Sequence, residues 1–287
     1  MRVGRRPDPR VIDARMTKAR VIGVCLLGLS VSGFFWLAHA TQAMVPANAG
    51  SIGQLDLWIA QLFLAMRNTR LVQFFSFVTA FGYWGVVFLL AASASAIMGL
   101  YRRTRYVPGL WLGLIDNQTT VFILKTLLDR PRPEFSFYRE NSAAFPSGHS
   151  AASVMVFGFL SYVLIRERIG SRTVSAAMGL LIIVMVGLSR LYLLEHYLSE
   201  VLSGYLVGAA WLVLAICVSE WRRAKGERSD TRDIWPWRRF TLFAVIAVTG
   251  IAVWLVSASY QRGLQVADPA LPGYSSISRP IQPSIAP

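Results

Sequence analysis

The chain has 287 residues, 54% hydrophobic and 15% charged, with a mean hydropathy of +0.47. A soluble domain of this length cannot bury so much apolar surface, so the composition excludes an ordinary globular enzyme and makes the bilayer the solvent. The net charge of +14 does not mark a nucleic-acid binder, because the Lys and Arg residues fall in the gaps between apolar runs and not on one folded face.

A helix needs about 20 residues to cross roughly 30 Å of hydrocarbon. Seven runs qualify: 21–40, 83–101, 107–127, 149–165, 174–194, 198–218 and 240–259, of which the fourth is short. The expected fold is therefore an all-α integral membrane protein. Most cations lie in four segments that seven alternating spans put on one side: the tail 1–20, the loop Arg102, Arg103 and Arg105, the loop Arg166, Arg168 and Arg172, and the linker 221–239. The positive-inside rule makes that side cytoplasmic, with the N-terminus inside and the tail 260–287 outside.

The first span ends in Ala38-His39-Ala40, which has the form of a signal cleavage site. Its length and extended basic lead favour an uncleaved anchor. Trp36, Trp221, Trp235 and Trp237 fall near helix ends, where amphipathic rings settle at the headgroups. Cys25 and Cys217 sit inside apolar spans and read as packing residues, not a disulfide. Between the first two spans, Leu55, Leu57, Trp58, Ile59, Leu62, Phe63 and Met66 recur among polar residues, with Asp56 early and Arg67 and Arg70 late. This predicts an amphipathic packing helix on the outer surface.

Three local sequences carry the chemistry, and the topology puts all three on the outer side. The first runs from Lys125 to Arg132-Pro133 at the exit of the third span. It gathers Lys125, Arg130 and Arg132, with Arg139 beyond, on the face where topology disfavours cations. Anion binding is the reason such a cluster is tolerated, since Arg offers phosphate a fork of donors and Lys a point charge. The second is Pro146-Ser147-Gly148-His149 at the start of the fourth span, where the free N–H groups of a helix N-terminus suit an anion. The third runs from Ser189-Arg190 to His196 and Glu200. If 196–200 is helical, His196 and Glu200 share a face, and the carboxylate can fix one tautomer of a nucleophilic imidazole. Two of the three histidines in the chain thus lie at outer helix ends, where an unpartnered imidazole is costly.

Elsewhere, Asp116 lies mid-span and roughly 13 Å from Lys125 along a helix, too far to join the phosphate site, and reads as structural or as part of a substrate cavity. Gly204 and Gly208 form a GxxxG pair that should hold the His196 helix against a neighbour.

Taken together, Lys125 through Arg132-Pro133, Pro146-Ser147-Gly148-His149 and Ser189-Arg190 through His196 resemble the three-part signature of the type 2 phosphatidic acid phosphatase family. The resemblance implies a six-helix membrane core over 21–220, with 240–259 as an appended seventh span. It implies that His196 attacks phosphorus to form a phosphohistidine, that His149 protonates the leaving oxygen, and that Lys125, Arg132, Ser147, Gly148 and Arg190 hold the phosphoryl oxygens. Glu200 departs from the Asp of the family pattern, so its contact with His196 must use a different rotamer. No cofactor is expected, and the positive site without paired ligand spacings argues against a metal. The expected function is a metal-independent phosphatase of lipid phosphates or diphosphates, such as isoprenoid diphosphate, phosphatidic acid or phosphatidylglycerol phosphate, at the outer face of a bacterial inner membrane. The expected partners are the lipid substrate and the bilayer, with the oligomeric state open. A phosphotransferase using the same residues, and a non-catalytic transporter or scaffold of the same fold, are the alternatives. The family's soluble vanadate-holding haloperoxidases fit the apolar spans poorly.

Overall fold

The computed structural model describes residues 9–42, 51–133, 136–138, 140, 142–224 and 237–263. Most of the tail 1–20, most of the linker 221–239, nearly all of the tail 260–287, and Arg139 lie outside the described side chains. Nine α-helices are described: α1 (Pro9–Gln42), α2 (Ser51–Ala65), α3 (Thr69–Thr79), α4 (Trp84–Leu100), α5 (Val107–Leu128), α6 (Gly148–Arg166), α7 (Arg172–Tyr192), α8 (Leu198–Ala224) and α9 (Trp237–Gly263). The all-α membrane architecture is as the apolar runs predict.

Each of the seven runs is a helix. By length and apolarity, five described helices can cross a membrane, or six if α3 and α4 form one span bent by 53°. The expected count of seven included α5, which has 22 residues but is interrupted by Asp116, Asn117, Gln118, Thr119 and Thr120. It nevertheless packs inside the bundle against α6 and α8. The short fourth run, now α6, is the most enclosed of the crossing helices and touches α4, α5, α7 and α8.

The outer segment differs from its expected single helix. The chain breaks after α2, and Asn68 caps α3 by accepting a hydrogen bond from the Leu71 N–H at 3.0 Å. An Asn side chain competes with the helix ladder for backbone donors, which is why a helix starts there. α2 does act as a packing element. Its Asp56 is buried and accepts from the backbone N–H and the hydroxyl of Ser199 at 2.9 and 2.6 Å, while Leu55, Leu57, Trp58 and Leu62 face outward.

Lipid tails are as apolar as leucine, so helices here associate by close packing and hydrogen bonds. Val87, Leu110, Leu114, Met155, Phe159 and Ala215 form the largest interior cluster. Gly204 and Gly208 bring α8 against α6, as the GxxxG spacing predicts. A Cβ on Gly204 would lie 2.4 Å from the Ser147 carbonyl oxygen, and one on Gly208 2.4 Å from that of Ala151. Because both obstacles are backbone, Gly208→Ala should force the helices apart at a cost of about 1–3 kcal/mol, read as a lower thermal midpoint in detergent. An unchanged midpoint would mean that this contact is compliant. At the other end of the bundle, Glu167 binds Arg103, Arg105 and Tyr106, and Glu220 binds Tyr162 and Arg166 at 2.7 and 2.6 Å. Cys25 and Cys217 are free thiols. Asn117 and not Asp116 is the fully buried polar residue of α5.

Candidate active site

The alternation of helices brings the C-terminal ends of α5, α7 and α9 beside the N-terminal ends of α6 and α8. Helix C-termini favour cations and N-termini favour anions, and this end of the bundle is built accordingly. Lys125 lies in the last turn of α5 and Arg190 in that of α7, His149 is in the first turn of α6, and His196 lies two residues before α8.

His196 is therefore not helical, contrary to the simple i, i+4 expectation, but its contact with Glu200 is made. Its Nδ1 lies 2.9 Å from Glu200 Oε2. The same oxygen accepts from the Tyr197 backbone N–H at 3.1 Å, the reach-back of a capping box from the third helical position. With Nδ1–H donating to the carboxylate, the lone pair is on Nε2, which meets Arg132 Nη1 at 3.4 Å. Burial, then Arg132, Arg190 and Lys125, push the imidazole well below its ordinary 6.5, so the ring is neutral at physiological pH. The extra methylene of glutamate also lets Oε1 reach Arg130 Nη1 at 3.2 Å. Arg130, expected in a cation cluster with Lys125 and Arg132, pairs with Glu200 and Asp56 and covers the Tyr197 ring.

Arg132 and Arg190 converge on a single carboxylate. Glu140 Oε2 is 2.5 Å from Arg132 Nη2, and Glu140 Oε1 is 2.9 Å from Arg190 Nη2. Burial raises the Glu140 carboxyl, but Arg190 and Arg132 outweigh it and hold it at about 2. Arg190 is 1% exposed, and its Nη1 donates to Thr79 Oγ1 at 3.0 Å. Arg132 is steadied further by the Ser142 and Glu195 carbonyls at 2.9 Å each. Glu195, buried beneath both guanidiniums, accepts from the Tyr138 N–H at 2.7 Å. Its burial pushes it up to about 7 against the pull of Arg190 and Arg132. Lys125 donates to the Ala143 carbonyl.

The turn preceding α6 is tied to α8, the Ser147 N–H donating to the Glu200 carbonyl at 3.0 Å. Ser147 Oγ accepts from Ser150 Oγ at 3.0 Å, and Gly148 opens the helix. Gly82 allows the Ala80–Gly82 turn to press on His149, since a Cβ there would meet His149 Cβ at 2.7 Å. His149 Nε2 lies 3.3 Å from the hydroxyl of Tyr260 on α9. All eight residues singled out in the sequence thus gather at one end of the bundle. Glu140, Thr79, Tyr260 and the Asp56–Arg130 pair gave no sequence signal. Their partners lie up to 143 positions away in the chain, and no local pattern reports such pairing. Among the described residues, no group of three or more His, Cys, Asp or Glu side chains is arranged to hold a metal ion.

The chain is similar in sequence and in fold to known proteins. The sequence model of the PAP2 superfamily matches residues 107–224. Phosphatidylglycerophosphatase B of Bacillus subtilis (strain 168) is 29% identical over 173 residues, which are 58% of this chain and 83% of that protein. The fold also matches the crystal structure of a transmembrane PAP2-type phosphatidylglycerolphosphate phosphatase from Bacillus subtilis. The TM-score is 0.58 at 24% identity, covering 68% of this chain and 96% of the other.

Proposed function

We propose that this chain, whose residues 107–224 match the PAP2 superfamily, is an integral-membrane lipid phosphatase that hydrolyses a lipid phosphate through a covalent phosphohistidine on His196, without a metal ion. The observation that carries this reading is the carboxylate-oriented imidazole of His196 with its Nε2 beside Arg132. Phosphoryl transfer is catalysed mainly by positioning and by positive charge on the equatorial oxygens. Lys125, Arg132, Arg190 and the amides around Ser147 and Gly148 are the groups suited to that task.

In the first step the His196 Nε2 lone pair forms the N–P bond as the bond from phosphorus to the lipid oxygen breaks, and His149 gives that oxygen a proton. In the second step water attacks phosphorus, His149 takes back a proton, and the N–P bond breaks to release phosphate. Glu200 holds the Nδ1 proton throughout and stabilises the imidazolium character of the phosphorylated ring. Phosphatidylglycerol phosphate is the first substrate to test, given the activity named for the Bacillus subtilis relative. The basic residues at the end of the bundle away from the histidines support an outward-facing site in a bacterial inner membrane.

The test is phosphate release in detergent from phosphatidylglycerol phosphate, phosphatidic acid and an isoprenoid diphosphate, with chelator present, together with base-quenched single turnovers. The expected result is chelator-resistant release and an acid-labile, base-stable phosphoenzyme. Loss of all release on chelation would overturn the metal-free reading.

Glu140 occupies the seat between Arg132 and Arg190 that a phosphoryl group would take, so substrate must displace a carboxylate. Glu140→Gln removes that competing charge. It should lower the inhibition constant of inorganic phosphate by roughly tenfold, about 1.5 kcal/mol for one charge-assisted hydrogen bond. Weaker phosphate binding in this variant would instead make Glu140 an organiser of the arginines.

A further inference from the structure

Helix α9 lies outside the segment that matches the PAP2 superfamily and is the least enclosed of the crossing helices. A helix kept only as an anchor needs no polar contact with the rest of the bundle. α9 makes polar contacts with it along one stripe. Thr249 Oγ1 donates to Ser93 Oγ on α4 at 2.7 Å. Three turns further on, Tyr260 places its hydroxyl 3.3 Å from His149 Nε2. The Tyr260 ring is stacked on Tyr83 at 4.4 Å between centroids, with an interplanar angle of 23°. Tyr83 is fixed in turn where the Ala80–Gly82 turn enters α4, and its ring lies against Gly85, beside Val256 of α9. The Arg190 guanidinium and the Glu140 carboxylate are also among the charges that act on the hydroxyl.

We propose that Tyr260, supplied by the appended helix α9, is a positioning residue for the general acid of this enzyme. Its hydroxyl holds the His149 imidazole in the orientation from which it protonates the leaving lipid oxygen. The proposal rests on the assignment of His149 as that acid. A phenol suits the task because it can accept from the imidazolium N–H and donate to the neutral ring, so one contact serves both halves of the proton cycle. At 3.3 Å the contact is slightly longer than an ordinary hydrogen bond, which leaves the ring free to share its proton with an arriving oxygen. The stack on Tyr83 and the Thr249–Ser93 bond set the height and rotation of α9, so the hydroxyl does not depend on the exposed remainder of the helix.

The experiment uses the full chain carrying Tyr260→Phe, which keeps the ring and its stack and removes only the hydroxyl. Two substrates are compared: phosphatidic acid, whose alkoxide leaving group requires a proton, and p-nitrophenyl phosphate, whose phenolate does not. Loss of acid positioning should lower kcat/KM on phosphatidic acid by roughly tenfold or more, through kcat and with KM little changed, while hydrolysis of p-nitrophenyl phosphate changes by less than about twofold. Equal losses on both substrates, or no loss on either, would overturn the proposal. His149→Ala, run in parallel, separates the two assignments. Discrimination between the substrates by His149→Ala but not by Tyr260→Phe rejects Tyr260 alone. No discrimination by His149→Ala rejects the acid assignment on which the proposal stands.

Discussion

His196→Ala should abolish turnover of lipid phosphate, with kcat reduced on the order of 10⁴-fold or more and no phosphoenzyme trapped in a single turnover. The size of the effect follows from the site. His196 is 3% exposed, so no solvent-borne group can easily take its place. The Arg132 contact and the Glu200 hydrogen bond are aimed at this one ring. Glu200→Gln should keep the geometry but let the amide accept from or donate to Nδ1, so that the tautomer is no longer fixed. It should fall between wild type and His196→Ala. Glu200→Asp shortens a side chain that serves His196, Tyr197 and Arg130 at once. It should be slower than wild type, although aspartate is what the family pattern carries. A faster Glu200→Asp would mean that the Arg130 contact detunes the nucleophile. A phosphoenzyme still trapped in His196→Ala would assign the nucleophile elsewhere.

Arg190→Ala should damage both fold and activity. Its guanidinium is fully buried and holds Glu140 at 2.9 Å, Glu195 at 3.9 Å and Thr79 at 3.0 Å. Removing it leaves two carboxylates facing a site with one fewer cation. Breaking a buried pair from one side costs about 3–5 kcal/mol, which should appear as a clearly lower thermal midpoint in detergent. If Arg190 holds the phosphoryl group as proposed, its loss should lower kcat by roughly 10³-fold. Arg190→Lys separates the two roles. It restores the charge, so the midpoint should recover in part, but a lysine cannot reach Thr79 and the anion together with a planar fork, so activity should stay low. Full recovery of activity with lysine would reduce Arg190 to a point charge.

The parts of this protein that were legible in the sequence are those with a local signature. A helix crossing lipid must satisfy its backbone internally and expose apolar side chains, so the seven runs could be read from composition alone. Cations gathered where the expected topology disfavours them marked Lys125, Arg132 and their loop. The sequences around His149 and His196 carried the nucleophile and acid candidates because these side chains work at helix ends, where neighbours in sequence stay neighbours in space. Even there the register was finer than a period could give. His196 precedes α8 instead of lying in it, and Asn68 breaks the outer segment into two helices.

The sequence by itself therefore determined the solvent, the helices and the candidate residues that gather at one end of the bundle, because each is marked by hydropathy or by short-range spacing. Tertiary structure alone decided that Glu140 sits between the two arginines, that Arg130 pairs with Glu200, and that Tyr260 of the last helix meets His149 across 111 positions. Those pairings depend on how α-helices rotate and stack against one another. The packing that sets the rotation is distributed over small residues such as Gly82, Gly204 and Gly208, whose role is visible only when the neighbouring backbone is in place.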